Sequence, residues 1–180
     1  MYAIMSELDP KSSATVTDLW HKLCEECGLQ AIYEVSTPHF TWFVADDLDV
    51  PLTTSVLEDL AEETHPLTIH TFGLGIFSGK HPILYLPMVK SVEMINFHDR
   101  IWEAMEPLSK DPKMYYSPKL WVPHITLALN DLSEANLACA MNAVAFEPIE
   151  LFVLVNNVAL AEHVDDGSGR ILSRSNFSED

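Results

Sequence analysis

Two short phrases in the chain carry the same chemistry. Pro38-His39-Phe40-Thr41 and Pro123-His124-Ile125-Thr126 both read Pro-His-apolar-Thr; their histidines stand 85 residues apart, and no other Pro-His dipeptide occurs. An imidazole titrates near neutral pH, so one member of a pair can act as neutral base while the other acts as imidazolium acid. The threonine two residues on adds a hydroxyl able to donate to a non-bridging phosphate oxygen. Two such sets around one phosphate suffice for an in-line displacement. One histidine takes a proton from water or a ribose hydroxyl and the other protonates the leaving oxygen. No metal or cofactor is needed, and the sequence offers no compact Asp/Glu/His cluster to hold two metal ions. Which histidine is base and which is acid stays open.

The phrases work only if strands carry them. In a strand, residues i and i+2 share a face, about 6–7 Å apart along the backbone. His39 and Thr41 then face one way and Phe40, Trp42 and Val44 the other; His124 and Thr126 are set against Ile125, Leu127 and Leu129 in the same manner. The apolar sets suit burial under helices, and the His/Thr sets suit a cleft.

The remaining elements follow from periodicity. Tyr2–Leu8 reads as a strand. Ser13–Cys27 has a helical apolar spacing (Val16, Leu19, Trp20, Leu23) that Gly28 stops. Pro51–Pro66 predicts a second helix. Leu67–Phe77 and Pro82–Val89 predict a hairpin around Ser78–His81, and Ser91 caps a third helix running to Leu108. Lys110–Trp121 reads as an irregular loop, and Leu132–Val144 as a fourth helix capped by Ser133. Ile149–His163 and Arg170–Phe177 read as strands turned by Asp165–Gly169, with Ser178–Asp180 a frayed end. Both phrases precede a helix and then a two-strand run, so the chain reads as a duplication. The expected fold is α+β: one domain over 1–180 of two similar lobes, with two mostly antiparallel sheets facing a central cleft and helices outside.

Composition narrows the partners. With 27 acidic against 10 basic residues the net charge is −17, which disfavours long nucleic acid, whose binding rests on neutralised phosphates. Lys80, Lys90, Arg100, Lys110, Lys113 and Lys119 leave room for a local basic rim. Met1–Pro10 has no basic stretch followed by an apolar run, and no run approaches a membrane span, so a cytoplasmic protein without membrane contact is expected. Cys24, Cys27 and Cys139 are then expected as reduced thiols; Cys24-x-x-Cys27 lacks the further ligands of a structural zinc site. Ser78 breaks the dinucleotide pattern that Gly73, Gly75 and Gly79 suggest, leaving glycines that permit close packing in a strand. His65, His70, His81 and His98 share no spacing and read as surface or half-buried. His163, beside Asp165 and Asp166, reads as solvated.

The His-x-Thr doublet resembles the signature of the two-histidine (2H) phosphoesterase superfamily, which includes 2′,3′-cyclic phosphodiesterases and 2′-5′ RNA ligase-like proteins. The similarity extends to the opening strand YAIMSELDP, the Gly-rich FGLGIF, and the strand-then-helix run from Ile83 to Met105. It implies a bilobal α+β fold, His39 and His124 as the catalytic pair, and Thr41 and Thr126 as phosphate ligands. The implied substrate is a ribose cyclic phosphate or 2′-5′ linkage, and the acidic chain favours a nucleotide or short RNA end. Tyr115, Tyr116 and Trp121, interleaved with Lys113 and Lys119, are candidates for base contact, against the alternative of a packed loop. The expected activity is metal-independent hydrolysis of a 2′,3′-cyclic phosphate. The rival readings are a non-catalytic module that binds a nucleotide or RNA end, and an enzyme joining RNA ends. Oligomeric state is not legible.

Overall fold

The computed structural model describes residues 1–35, 37–163 and 169–179. Its first unit runs β1 (Tyr2–Glu7), α1 (Pro10–Cys27), β2 (His39–Leu48) and α2 (Val50–Glu62), then β3 (Leu67–His70) and β4 (Gly75–Phe77). A second unit repeats the order with β5 (Ile83–Pro87), α3 (Val92–Met105), a short β6 (Ser109–Pro112), β7 (His124–Ala128) and α4 (Leu137–Val144). It ends in β8 (Phe152–Val155), β9 (Asn157–His163) and β10 (Gly169–Asn176).

Local chemistry sets the helix ends. The Asp9 carboxylate accepts from the Lys11 and Ser12 N–H groups and Pro10 starts α1, while Gly28, at φ 71°, closes it in the left-handed region. The Asp49 side chain caps α2, and the Ser91 hydroxyl accepts from the Met94 N–H at the start of α3, as the sequence suggests. Val16, Leu19, Trp20 and Leu23 form the buried stripe of α1.

The fold is α+β, with four helices on two antiparallel sheets. The larger sheet has the order β10-β9-β1-β2-β7-β5-β4, with β6 on β2; the smaller is β3 paired with β8. The two units do not keep separate sheets facing one another. They share the large one, in which the motif strands β2 and β7 meet at a bridge between Phe40 and Ile125. Each unit lends strand to the other, β4 lying on β5 and β9, with β10 beyond it, on β1. Since Phe40 and Ile125 are equivalent positions of the repeated phrase, the antiparallel bridge sits on the local two-fold relation between the units.

Several expectations change. Leu67–Phe77 is two strands, because Gly73 at φ 72° turns the chain and β3 finds its partner in β8. Ile149–His163 likewise divides at Asn156. The Lys110–Trp121 loop contains most of β6 and a 3-10 turn, Met114–Tyr116. Helix α4 begins only at Leu137, since the Asn136 side chain accepts from the Ser133 N–H and hydroxyl and closes a turn first. The turn expected at Asp165–Gly169 falls, but for Gly169, outside the described residues. His98 is buried, 1% exposed, rather than at the surface.

The thiols also depart from expectation. Packing of α1 on α4 brings Cys27 and Cys139 to a Cα separation of 5.7 Å, and they form a disulfide, leaving Cys24 free. Nothing in the spacing of three cysteines announces a contact across 112 residues. Among the described residues no helix is long and apolar enough to cross a membrane.

Candidate active site

The bridge between β2 and β7 decides the geometry. One step to either side of Phe40 and Ile125, the antiparallel register sets His39 across from Thr126 and Thr41 across from His124. All four side chains lie on the face opposite buried Phe40 and Ile125. They line one cavity of about 320 Å³, with Tyr116 and Ile83 on one side and Tyr2, Val35 and His163 among its other walls. The sequence-derived quartet is thus brought together, each histidine beside the other phrase's threonine.

The two histidines are held alike. His39 Nδ1 lies 2.8 Å from the Thr37 carbonyl oxygen and His124 Nδ1 lies 2.7 Å from that of Val122, each two residues back. A carbonyl only accepts, so each Nδ1 carries a hydrogen and each Nε2 remains for chemistry. Among the described residues neither Nε2 has a protein partner. Burial lowers the pKa of both imidazoles below the usual histidine value, against the carbonyl bonds that favour the charged forms. Nearby Glu7 also favours charge on His39, whereas His39 disfavours it on His124.

Indoles brace both motif strands, a support not legible from the phrases themselves. Trp121 Nε1 donates to the Thr41 carbonyl and Trp20 Nε1 to that of Thr126, each at 3.0 Å. Behind the first, His98 stacks on Trp121 with ring centroids 3.8 Å apart, and its Nε2–H is shared between the carbonyls of Trp42 and Tyr116. Burial keeps His98 below the usual histidine pKa, so it stays neutral in that clamp.

The base-contact candidates separate. Trp121 is 2% exposed and works as a brace. Tyr116 lines the histidine cavity, turned toward Thr41, and burial pushes its hydroxyl well above the usual phenol pKa, so it remains a donor. Tyr115 is open to solvent and lines a second cavity of about 360 Å³ beside His124, with Phe77, Ile83, Leu120 and Val122. Lys119 lines another depression, with Asp99, Trp102 and Glu103. Among the described residues, no Lys or Arg lines either cavity at the histidines. Of the candidates for a basic rim, Lys113 and Arg100 pair instead with Asp46 and Glu63, and Lys90 lies over the Trp121 ring, 5.6 Å from its centroid.

Gly75 shapes the His124 side. A Cβ there would stand 2.4 Å from the Tyr85 ring, so only glycine lets that ring lie against β4. Tyr85 and Phe77 then meet His124 edge to face, at centroid distances of 5.2 and 4.9 Å. Of the three glycines read as permitting close packing in a strand, only Gly75 does so; Gly73 and Gly79 lie outside β4 with positive φ and open space where a Cβ would stand.

A family model of the 2′-5′ RNA ligase superfamily matches residues 8–167, taking in both phrases. The chain belongs to that superfamily. No curated protein shows a significant match to it. Membership supports a 2H phosphoesterase or RNA ligase-like function on phosphodiester bonds. Among the described residues, no group of three or more His, Cys, Asp or Glu side chains could hold a metal ion.

Proposed function

We propose that this superfamily member is a metal-independent phosphodiesterase that hydrolyses the 2′,3′-cyclic phosphate of a nucleotide or short RNA end. The observation that carries this reading is the register at the central bridge, which turns two distant phrases into alternating His and Thr groups around one cavity. In the reaction, one neutral Nε2 removes a proton from water as its oxygen attacks phosphorus. The other Nε2–H gives its proton to the departing ribose oxygen, and the Thr41 and Thr126 hydroxyls donate to the non-bridging oxygens. A short substrate suits the chain's charge of −17 and the lack of Lys or Arg at the cavity.

The test is turnover of the four 2′,3′-cyclic nucleotides in the presence of EDTA, with the phosphomonoester isomer identified. Hydrolysis supports the reading and names the bond that breaks. Binding without turnover sinks it in favour of a binding module. ATP-independent joining of RNA ends, with no hydrolysis, sinks it in favour of the ligase reading.

A further inference from the structure

A hydroxyl that the repeated phrases do not supply also reaches the cavity at the histidines, and the local two-fold relation does not repeat it. Each motif strand is preceded by a 3-10 turn, Ala31–Glu34 ahead of His39 and Met114–Tyr116 ahead of His124. The turns pack crosswise, the first against β7 and the second against β2. Ala31 and Tyr116 are equivalent positions, each eight residues before its histidine. From the first turn and its end, apolar Ile32 and Val35 line the cavity; from the second it is Tyr116.

The turn that carries Tyr116 is fastened to β2. The Tyr116 N–H donates to the Lys113 carbonyl at 2.8 Å, and its carbonyl accepts from His98 Nε2 at 3.0 Å. The same Nε2 meets the Trp42 carbonyl at 3.1 Å, and Trp121 Nε1 donates to the Thr41 carbonyl at 3.0 Å. A buried imidazole and a buried indole thus tie this loop to the strand exactly where Thr41 leaves it. Tyr115 covers one side of the Tyr116 ring, with centroids 4.9 Å apart. The Tyr116 hydroxyl turns toward Thr41, and burial keeps it in the neutral, donating form. Two hydroxyls therefore share one wall of the cavity, while Ile32 and Val35 stand at the related place on the other.

We propose that Tyr116 is a further catalytic residue, its hydroxyl donating together with that of Thr41 to one non-bridging oxygen of the bound phosphate. The assignment rests on the hydrolase reading above and adds a third hydroxyl to it. A phenol is more acidic than an aliphatic alcohol and so the stronger donor. A donor fixed in place before the reaction needs no reorganisation as charge builds on that oxygen. The proton stays on Tyr116 throughout; the hydroxyl only hydrogen-bonds, and bond making and breaking at phosphorus are left to the histidines. The two non-bridging oxygens then have unequal partners, Thr41 with Tyr116 at one and Thr126 at the other. A site built in this way tells the two oxygens apart.

The test uses Y116F, which removes the hydroxyl but keeps the ring and the backbone bond to His98. On a 2′,3′-cyclic nucleotide kcat should fall roughly ten- to a hundredfold with KM nearly unchanged. The same loss is expected on a base-free ribose cyclic phosphate. A structural role is separated by the two diastereomeric cyclic phosphorothioates, each with sulfur, a poor hydrogen-bond acceptor, in place of one non-bridging oxygen. Y116F should cost the full factor on one diastereomer and almost nothing on the other, whose sulfur faces Tyr116. Equal losses on both diastereomers, no loss on either, or a loss confined to base-bearing substrates overturns the assignment. Absence of turnover by wild type on every substrate overturns the hydrolase reading instead, and binding then decides the role of Tyr116. Affinity for a nucleoside 2′-monophosphate, read by calorimetry, should be roughly tenfold weaker in Y116F; unchanged affinity overturns the contact.

Discussion

The flanks of the two histidines differ far more than the histidines do. Beside His39 the wall is narrow, a recess of about 100 Å³ lined by Ala3, Met5, Val35, Ala161 and Glu162 among others. Beside His124 it opens into a groove of about 360 Å³ lined by Phe77, Tyr115, Leu120 and Val122. Repetition of the Pro-His-apolar-Thr phrase supplies two acid–base groups and two donors in matched poses. Divergence of the neighbours makes the two sides unequal, the larger and more apolar space lying on the His124 side. Under the proposed function the nucleobase would lie toward Tyr115 and the phosphate between the histidines.

The largest expected effect removes what the two sides share. Replacing His39 or His124 with alanine should each cost roughly 10²–10⁴-fold in kcat/KM on a 2′,3′-cyclic nucleotide. Loss at only one of them would mean that the halves do not act together. Thr41→Val and Thr126→Val remove one phosphate donor each and should cost roughly ten- to a hundredfold, falling mainly on kcat. Near-equal losses support a phosphate centred between the strands, and a large inequality places it to one side.

Smaller effects sharpen the contrast between the flanks. Tyr115→Ala should raise KM for a base-bearing substrate roughly tenfold and leave a base-free ribose cyclic phosphate unchanged. Equal effects on both substrates would remove the groove from base recognition. Replacing Cys27 and Cys139 with serine unties α1 from α4 and should cost about 2–4 kcal/mol of stability, read by denaturant unfolding, with kcat retained in the folded enzyme.

Stability should also follow pH in a stated direction. His39, His98 and His124 all have folded pKa values below the ordinary histidine value, because burial disfavours their charge. The unfolded chain then takes up protons first as pH falls. Stability is intact above about pH 6.5 and declines as pH drops through that value toward the lowered folded ones. Replacing His98 with glutamine should flatten the decline in a denaturation series from pH 8 to 5. An unaltered slope would rule out the buried clamp as a contributor.

The sequence made the pairing of each His with its Thr on one face legible because the strand period of two fixes it whatever the strand pairs with. Helix ends were readable at Gly28 and Ser91 for the same local reason. What escaped depends on pairing partners that a one-dimensional pattern does not hold. Glu7 becomes a neighbour of His39 only through the β1–β2 register, and the two units share one sheet through the β2–β7 bridge at Phe40 and Ile125 and through the β1–β9, β4–β5 and β2–β6 pairings. Trp121 looked like a stacking surface because its neighbours are aromatic and basic. Its burial follows from His98, which sits 23 positions away in sequence and showed no pattern of its own. Ser133 looked like a cap, but the Asn136 side chain captured it first. The disulfide was invisible because helix packing creates it.

The central claim is that the two phrases hold one phosphate between them. An NMR titration of histidine-labelled protein with a 2′- or 3′-nucleoside monophosphate, the product of the proposed reaction, tests it without relying on turnover. The account predicts that the His39 and His124 imidazole signals shift together and saturate at one equivalent, while buried His98 stays nearly still. Movement of only one of the pair, or of neither, would contradict it.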